Sequence, residues 1–284
     1  MNRRKKVNYK KWYGLVAAVV VATGGYLETQ HQKDPSSNAN YATASVKVDQ
    51  NIKTGSVNDE KPTESLATSV LTEDVKKQVK AKSIKYNGTG AFVVDQNKTN
   101  FNTNVSAAPY VQLARQDQQG RPGAANAWLS KASRQYRNRQ ETGNNRTINP
   151  VGWQQLRING KSQVLYNRGH SVGYALAGNI KGFDASEANP QNITTQTAWA
   201  NQSSNGNDQN TGQNYYEGLV RKALDSNKKV RYRVTPLYTG NNLVPSVNHI
   251  EAKSSDGTLQ VNVLIPNVQP GITINYQNGV GRVN

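Results

Sequence analysis

The spacing of apolar residues changes character several times along this chain. Trp12 to Leu27 is uncharged, with a solid apolar centre from Leu15 to Ala22, and it follows Arg3, Arg4, Lys5, Lys6, Lys10 and Lys11 with no acid among them. A helix of that run spans about 24 Å, short of the roughly 30 Å hydrocarbon core. The basic flank, short apolar centre and small residues Ala22, Thr23 and Gly24 fit a secretory signal, and a tilted anchor fits as well. Residues 1–27 are therefore read as a membrane anchor or signal segment. Either form delivers the rest of the chain outside the cell, secreted or held at the cell membrane. Residues 28–65 are polar and lack periodicity, the pattern of a disordered tether. Leu66, Val70, Val75 and Val79 then recur at helical spacing, predicting a short helix over 66–82 at the end of a tether spanning 28–82.

From residue 83 onward the pattern is that of a folded domain running to residue 284. Ala91-Phe92-Val93-Val94 reads as a buried strand after the turn Asn87-Gly88-Thr89-Gly90. Ala124 to Tyr136 has helix-forming composition and ends in a basic run, Arg134, Arg137 and Arg139. Val164-Leu165-Tyr166 predicts a short strand. Tyr215 to Leu224 carries apolar residues at helical spacing. Lys229 to Tyr238 alternates bases with Val230, Tyr232 and Val234, as a half-buried strand does. Ile250–Lys253 and Leu259–Ile265 flank Ser255-Asp256-Gly257, a hairpin signal. The expected fold class is α+β, with a central antiparallel sheet and flanking helices.

Composition narrows the chemistry. With 284 residues and no Cys, disulfide staples, thiolate zinc sites and a Cys nucleophile are excluded. Any histidine base must be His31, His170 or His249. The formal charge is +17, and beyond the N-terminal bases the excess lies after residue 110, where a basic domain attracts a polyanion. Lys229, Arg231 and Arg233 on the alternating strand are candidates for a nucleic-acid track.

The chemistry concentrates after the strand at Val164–Tyr166. Asn167-Arg168-Gly169-His170 leads through Phe183-Asp184 and Asn192 to Trp199-Ala200-Asn201, then to Thr211-Gly212-Gln213-Asn214-Tyr215-Tyr216-Glu217 and Arg221. Glu217 and Arg221 lie four apart, on one helix face. Arginine, histidine, asparagine and glutamate are the parts a metal-dependent phosphodiesterase uses: a base, hard-metal ligands and cations for the phosphate.

These blocks resemble the DNA/RNA non-specific endonucleases with a ββα-metal finger and an Asp-Arg-Gly-His motif, and among them the membrane-attached nucleases of the EndA type. The resemblance runs from about Gly88 to near the C-terminus. It includes Ser130-Lys131-Ala132, Glu141-Thr142-Gly143-Asn144, Gly152-Trp153 and Val230-Arg231-Tyr232-Arg233-Val234. It implies His170 as general base, Asn201 as the direct Mg²⁺ ligand, and Asn192 as the residue holding the site. It implies Glu217 as the acid holding metal-bound water, and Arg168 and Arg221 as arginines facing phosphate. It further implies Mg²⁺ with Mn²⁺ as a substitute, DNA and RNA as substrates, and 5′-phosphate products. One departure is Asn167 where the motif has Asp. Losing that charge weakens any electrostatic support of Arg168 or His170, and it motivates a rival reading as a catalytically weak nucleic-acid-binding protein. His249, beside Glu251 at a strand start, is read as structural.

Overall fold

The computed structural model describes residues 52–203 and 209–284. The basic apolar segment 1–27, His31 and the first part of the tether lie outside the described residues.

Among the described residues there are eleven strands, β1 (Ile84–Tyr86), β2 (Phe92–Val94), β3 (Tyr110–Leu113), β4 (Ala125–Leu129), β5 (Tyr166–His170), β6 (Ile193–Thr197), β7 (Val230–Leu237), β8 (Val247–Ser254), β9 (Gln260–Pro266), β10 (Ile272–Ile274) and β11 (Gly281–Val283), and five α-helices. These are α1 (Glu64–Thr68), α2 (Glu73–Val79), α3 (Tyr174–Ala177), α4 (Ala198–Gln202) and α5 (Gln213–Asp225). Seven strands form one antiparallel sheet in the order β1-β2-β9-β8-β7-β4-β3. β5 pairs with β6, and β10 with β11.

Alternation decides which face each strand buries. On β7, Val230, Tyr232 and Val234 are wholly buried, facing Ile250 and Ala252 of β8 and Val261 and Val263 of β9. α5 lays Tyr216, Val220, Ala223 and Leu224 in that same core, where each fully buried aliphatic side chain contributes about 1.5–3 kcal/mol. Arg231, Arg233, His249 and Glu251 point from the opposite face. The turn Ser255–Gly257 closes β8 and β9 as the hairpin pattern requires.

Three local expectations give way to tertiary structure. Ala124–Tyr136 is not helical: its first part is β4, and Lys131–Ser133 forms a single 3-10 turn. β4 is paired on both sides, with β3 and β7, and Ala127 sits wholly buried opposite Tyr232. Those ladders outweigh helix propensity. The helix expected over 66–82 is two helices, capped by the Thr63 and Thr72 hydroxyls, which accept from Leu66 N and Val75 N. The packed unit also reaches upstream of residue 83, because Leu66, Ala67, Val70, Leu71 and Val75 are buried in the main core. The apolar face itself was legible; what spacing does not encode is that it packs into the main core.

Candidate active site

β5, β6 and α4 form a ββα unit on the core side of the sheet. β5 and β6 run antiparallel with Arg168 opposite Thr195 and His170 opposite Ile193. The last residue of β6, Thr197, is also the cap of the helix. The Thr197 hydroxyl accepts from Ala200 N at 3.1 Å, while its own N–H donates to Asn267 Oδ1 at 2.7 Å. Trp199 N donates to Gln269 Oε1 at 2.9 Å. The chain after β9 thus clamps the start of α4, and Asn201 sits one turn in. The amide of Asn201 makes no hydrogen bond among the described residues. α4 meets α5 at Gly212, whose N–H donates to Ser203 O at 2.9 Å. A Cβ there would lie 2.7 Å from Trp199 O and 3.0 Å from Ala200 O, so only glycine permits this approach.

His170 closes β5. Its Nε2 lies 2.8 Å from a terminal nitrogen of Arg139. Arg139 is held in turn by a 2.6 Å bond to Ala185 O and by the Tyr174 ring, 4.5 Å beneath its guanidinium. Tyr174 is anchored through its hydroxyl, 2.6 Å from that of Thr142. A guanidinium has no lone pair, so it donates and Nε2 accepts. Burial first, and the Arg139 charge second, push the imidazole down to about 3. The ring is therefore neutral at physiological pH, and the value near 6.5 that an exposed histidine would have does not apply.

Strand alternation separates neighbours in the motif. Arg168 shares the His170 face: its Nη2 donates to Asn149 Oδ1 at 2.8 Å, its Nε donates to Ile148 O, and its guanidinium lies over Trp153. Asn167 points the other way, opposite Gln196, and its Nδ2 is buried without a partner. It does not face His170, so the expected support of the base from this position is not part of the geometry. Gly169 lies under the Gln196 side chain, whose Oε1 would be 2.0 Å from a Cβ. The glycine between Arg168 and His170 is what lets Gln196 cross the strand.

Asn192 is wholly buried, and its amide brackets Val172, accepting from its N–H at 2.9 Å and donating to its carbonyl at 3.0 Å. It positions the chain after His170 and does not reach solvent. Glu217, 13% exposed, receives Gln213 Nε2 at 3.0 Å and lies 3.6 Å from Arg221. Burial raises its carboxyl, and the Gln213 bond and the Arg221 charge only partly oppose this. Arg221 also donates to Asn214 Oδ1 at 2.9 Å. Gln213 reaches further, to His170 O at 2.5 Å, and accepts from Gln196 Nε2 and Asn248 Nδ2, both at 3.1 Å. Around it Gln196 Oε1, Asn167 Nδ2 and Asn248 Oδ1 are buried and unpartnered. Each such atom costs about 1–3 kcal/mol.

The structure thus gathers His170, Asn192, Glu217 and Arg221 through direct contacts or shared backbone, with Arg168 on the same strand face as His170 and Asn201 on the adjoining helix. It does not bring Arg231 and Arg233 there. Arg231 is spent on the Tyr110 hydroxyl, and Arg233 on Asn126, Glu251 and the Phe101 ring, on the far face of the sheet. Lys229 lies exposed just before β7. His249 is hydrogen-bonded to Asn262 Oδ1 at 2.7 Å on that far face too. Two residues went unassigned from sequence. Arg139 belonged to a basic run that reads as a helix end, and Gln213 lay in the block before Glu217. Nothing local marks either as a partner of His170.

Among the described residues no group of three or more His, Asp and Glu is placed to hold a metal. The donor set near the finger is instead one free amide oxygen, Asn201, and one carboxylate, Glu217. That set suits a hard cation that keeps most of its waters and does not suit a metal seeking nitrogen or sulfur.

An antiparallel sheet bearing a ββα finger, with an Arg-Gly-His strand and an Asn–Glu helix pair, defines the class of ββα-metal endonucleases. Residues 88–282 match the DNA/RNA non-specific endonuclease family, and the chain belongs to it. It is similar to the structure of NucA from Streptococcus agalactiae with magnesium ion bound, at 44% identity and a TM-score of 0.69, covering 76% of this chain and 100% of that one. The same protein with no metal bound matches at 46% identity and a TM-score of 0.68, with the same coverage. The protein is a nucleic-acid endonuclease, a phosphodiester hydrolase.

Proposed function

We propose that this endonuclease depends on Mg²⁺, with Mn²⁺ as a substitute, and cuts DNA and RNA without strong sequence preference. It acts outside the cell, tethered to the membrane by residues 1–27 or released if they are cleaved, and serves in DNA uptake or degradation. The observation that carries this reading is the neutral His170 held by Arg139 on a strand adjoining Asn201 and Glu217. The magnesium-bound NucA relative supports the choice of metal.

A phosphodiester is already anionic, so cations must shield it before water attacks. Arg139, Arg168 and Arg221 supply that shielding. Their contacts to phosphate carry little sequence information, which accounts for indifference to sequence. In the neutral ring Nε2 accepts from Arg139 and Nδ1 carries the proton, so His170 takes the proton of the attacking water at Nε2, once the substrate phosphate draws the Arg139 guanidinium off it. An imidazole pushed to about 3 is a weak base on its own. A phosphate beside Arg139 offsets the guanidinium charge and draws the imidazole pKa upward, so substrate strengthens the base that serves it. Asn201 and the waters oriented by Glu217 would hold the cation, which when bound stabilises charge on the phosphoryl and leaving oxygens.

Incubating the protein with plasmid DNA and with structured RNA, with Mg²⁺ and with EDTA, tests the reading. Cleavage of both in Mg²⁺ only, with 5′-phosphate ends, is expected. DNA binding with no cleavage under any divalent metal would favour the binding-protein rival. Deleting the gene and scoring transformation and extracellular nuclease separately tests the cellular role.

A further inference from the structure

We propose that Gln213 is a positioning residue that ties the strand carrying His170 to Glu217, holding the base and the acid opposite it as one unit; this rests on the active-site reading above. A primary amide has two N–H donors and two acceptor lone pairs. Gln213 uses all four. It donates to His170 O and Glu217 Oε1, and it accepts from Gln196 Nε2 and Asn248 Nδ2. Flipping the amide would turn every one of these contacts into a clash of like partners, so its orientation is fixed by four different elements: β5, β6, β8 and its own helix α5.

The surroundings are arranged for this residue. It is 1% exposed, in the first turn of α5, where a glutamine would ordinarily project into solvent. Gln196 reaches it only because Gly169 has no side chain. Gln196 Oε1 and Asn248 Oδ1 stay unpartnered while their nitrogens serve Gln213. An apolar filling of the same space would leave no such orphans. The cost is retained where the amide fixes the separation between the His170 backbone and the Glu217 carboxylate. Glu217 has few other restraints: Arg221 stands at 3.6 Å, and without Gln213 the carboxylate could turn toward it.

The test uses the full chain, freed of metal, as wild type, Gln213→Glu and Asn248→Ala. Glutamate keeps the length and the acceptors for Gln196 and Asn248 but has no N–H for His170 O or Glu217. Asn248→Ala leaves both of those bonds and loosens only the amide. Steady-state cleavage of a duplex oligonucleotide gives kcat and KM, calorimetry gives Mg²⁺ affinity, and fluorescence anisotropy in EDTA gives DNA affinity. Loss of an orienting partner around a metal site costs about 10–100-fold in affinity or activity. Gln213→Glu should lose that much in kcat and weaken Mg²⁺ binding, with KM and DNA affinity near wild type. Asn248→Ala should move kcat and Mg²⁺ affinity the same way by a smaller factor. A folded Gln213→Glu with unchanged kcat and Mg²⁺ affinity overturns the proposal. Should Gln213→Glu fail to fold, an Asn248→Ala protein equal to wild type in both overturns it. A wild type that cleaves nothing in Mg²⁺ fails the active-site reading instead.

Discussion

Arg139 and His170 meet at 2.8 Å between guanidinium and Nε2, although 30 residues and a motif boundary separate them in the chain. The contact sets the tautomer of the ring, with the proton on Nδ1, and adds to burial in keeping the imidazole uncharged.

Removing this partner should be read in the pH profile. Burial is the larger cause of the depressed His170 pKa and Arg139 the second, so Arg139→Ala restores only part of the way toward 6.5. Titration of the ring by NMR should show wild type neutral to about 3 and the variant titrating higher. The kcat should drop by about 10²–10³, since a donor facing the phosphate goes as well. An unchanged ring titration would detach Arg139 from the base.

Glu217→Gln should stabilise the protein while disabling it. A carboxyl whose folded pKa is raised contributes stability at low pH that is lost as pH rises through the folded value. At pH 7 the neutral amide avoids that loss, so Tm should increase, by about 2–4 °C for each kcal/mol recovered. The advantage should shrink as the pH approaches the ordinary carboxyl value. Cleavage should fall by about 10²-fold or more. Calorimetric Tm against pH for both proteins decides the sign, and a lower Tm for the variant at pH 7 would refute it.

Asn201→Ala should weaken Mg²⁺ binding and rate together, because its amide has no other hydrogen bond to lose among the described residues. Thermal stability should stay near wild type for the same reason. Isothermal titration with Mg²⁺ that gives the same affinity for both proteins would remove Asn201 from the ligand set.

Gly169→Ala places a methyl 2.0 Å from Gln196 Oε1 and 2.5 Å from its Cβ. Gln196 is pinned between strands and cannot withdraw freely. The substitution should cost about 1–3 kcal/mol by overpacking, and activity should fall further than stability because the Gln196–Gln213 contact is displaced. Urea unfolding together with kcat on the same preparations separates the two effects.

Arg231→Ala and Arg233→Ala should leave the salt dependence of DNA affinity unchanged, as both arginines lie on the far sheet face and are already partnered. Arg168→Ala should reduce the slope of log affinity against log salt by about one. Equal slopes across all three variants would contradict the assignment of faces. Asn167→Asp should act differently again: it buries a charge opposite Gln196, so destabilisation is expected in place of a shifted acid limb.

What could be read from the sequence was whatever depends on near neighbours. The alternation of β7, the β8–β9 turn, the apolar face of α5 and the i, i+4 placement of Glu217 and Arg221 follow from periods of two and 3.6 residues. The order of Arg168, Gly169, His170 and Asn201 was legible as a block, but the strand expected at Val164–Tyr166 is instead β5, Tyr166–His170, so the motif lies within the strand and does not follow it. Tertiary structure decided the rest. Ala125–Leu129 became a strand because β3 and β7 flank it. Residues 64–79 joined the core because a sheet face needed covering. The same pairing sent Arg231 and Arg233 to the side away from His170, turned Asn167 toward Gln196, and delivered Arg139 and Gln213 to the base. Each of these is a contact between distant segments, made by strand register and close packing, and no property of the local chain encodes which distant side chain arrives.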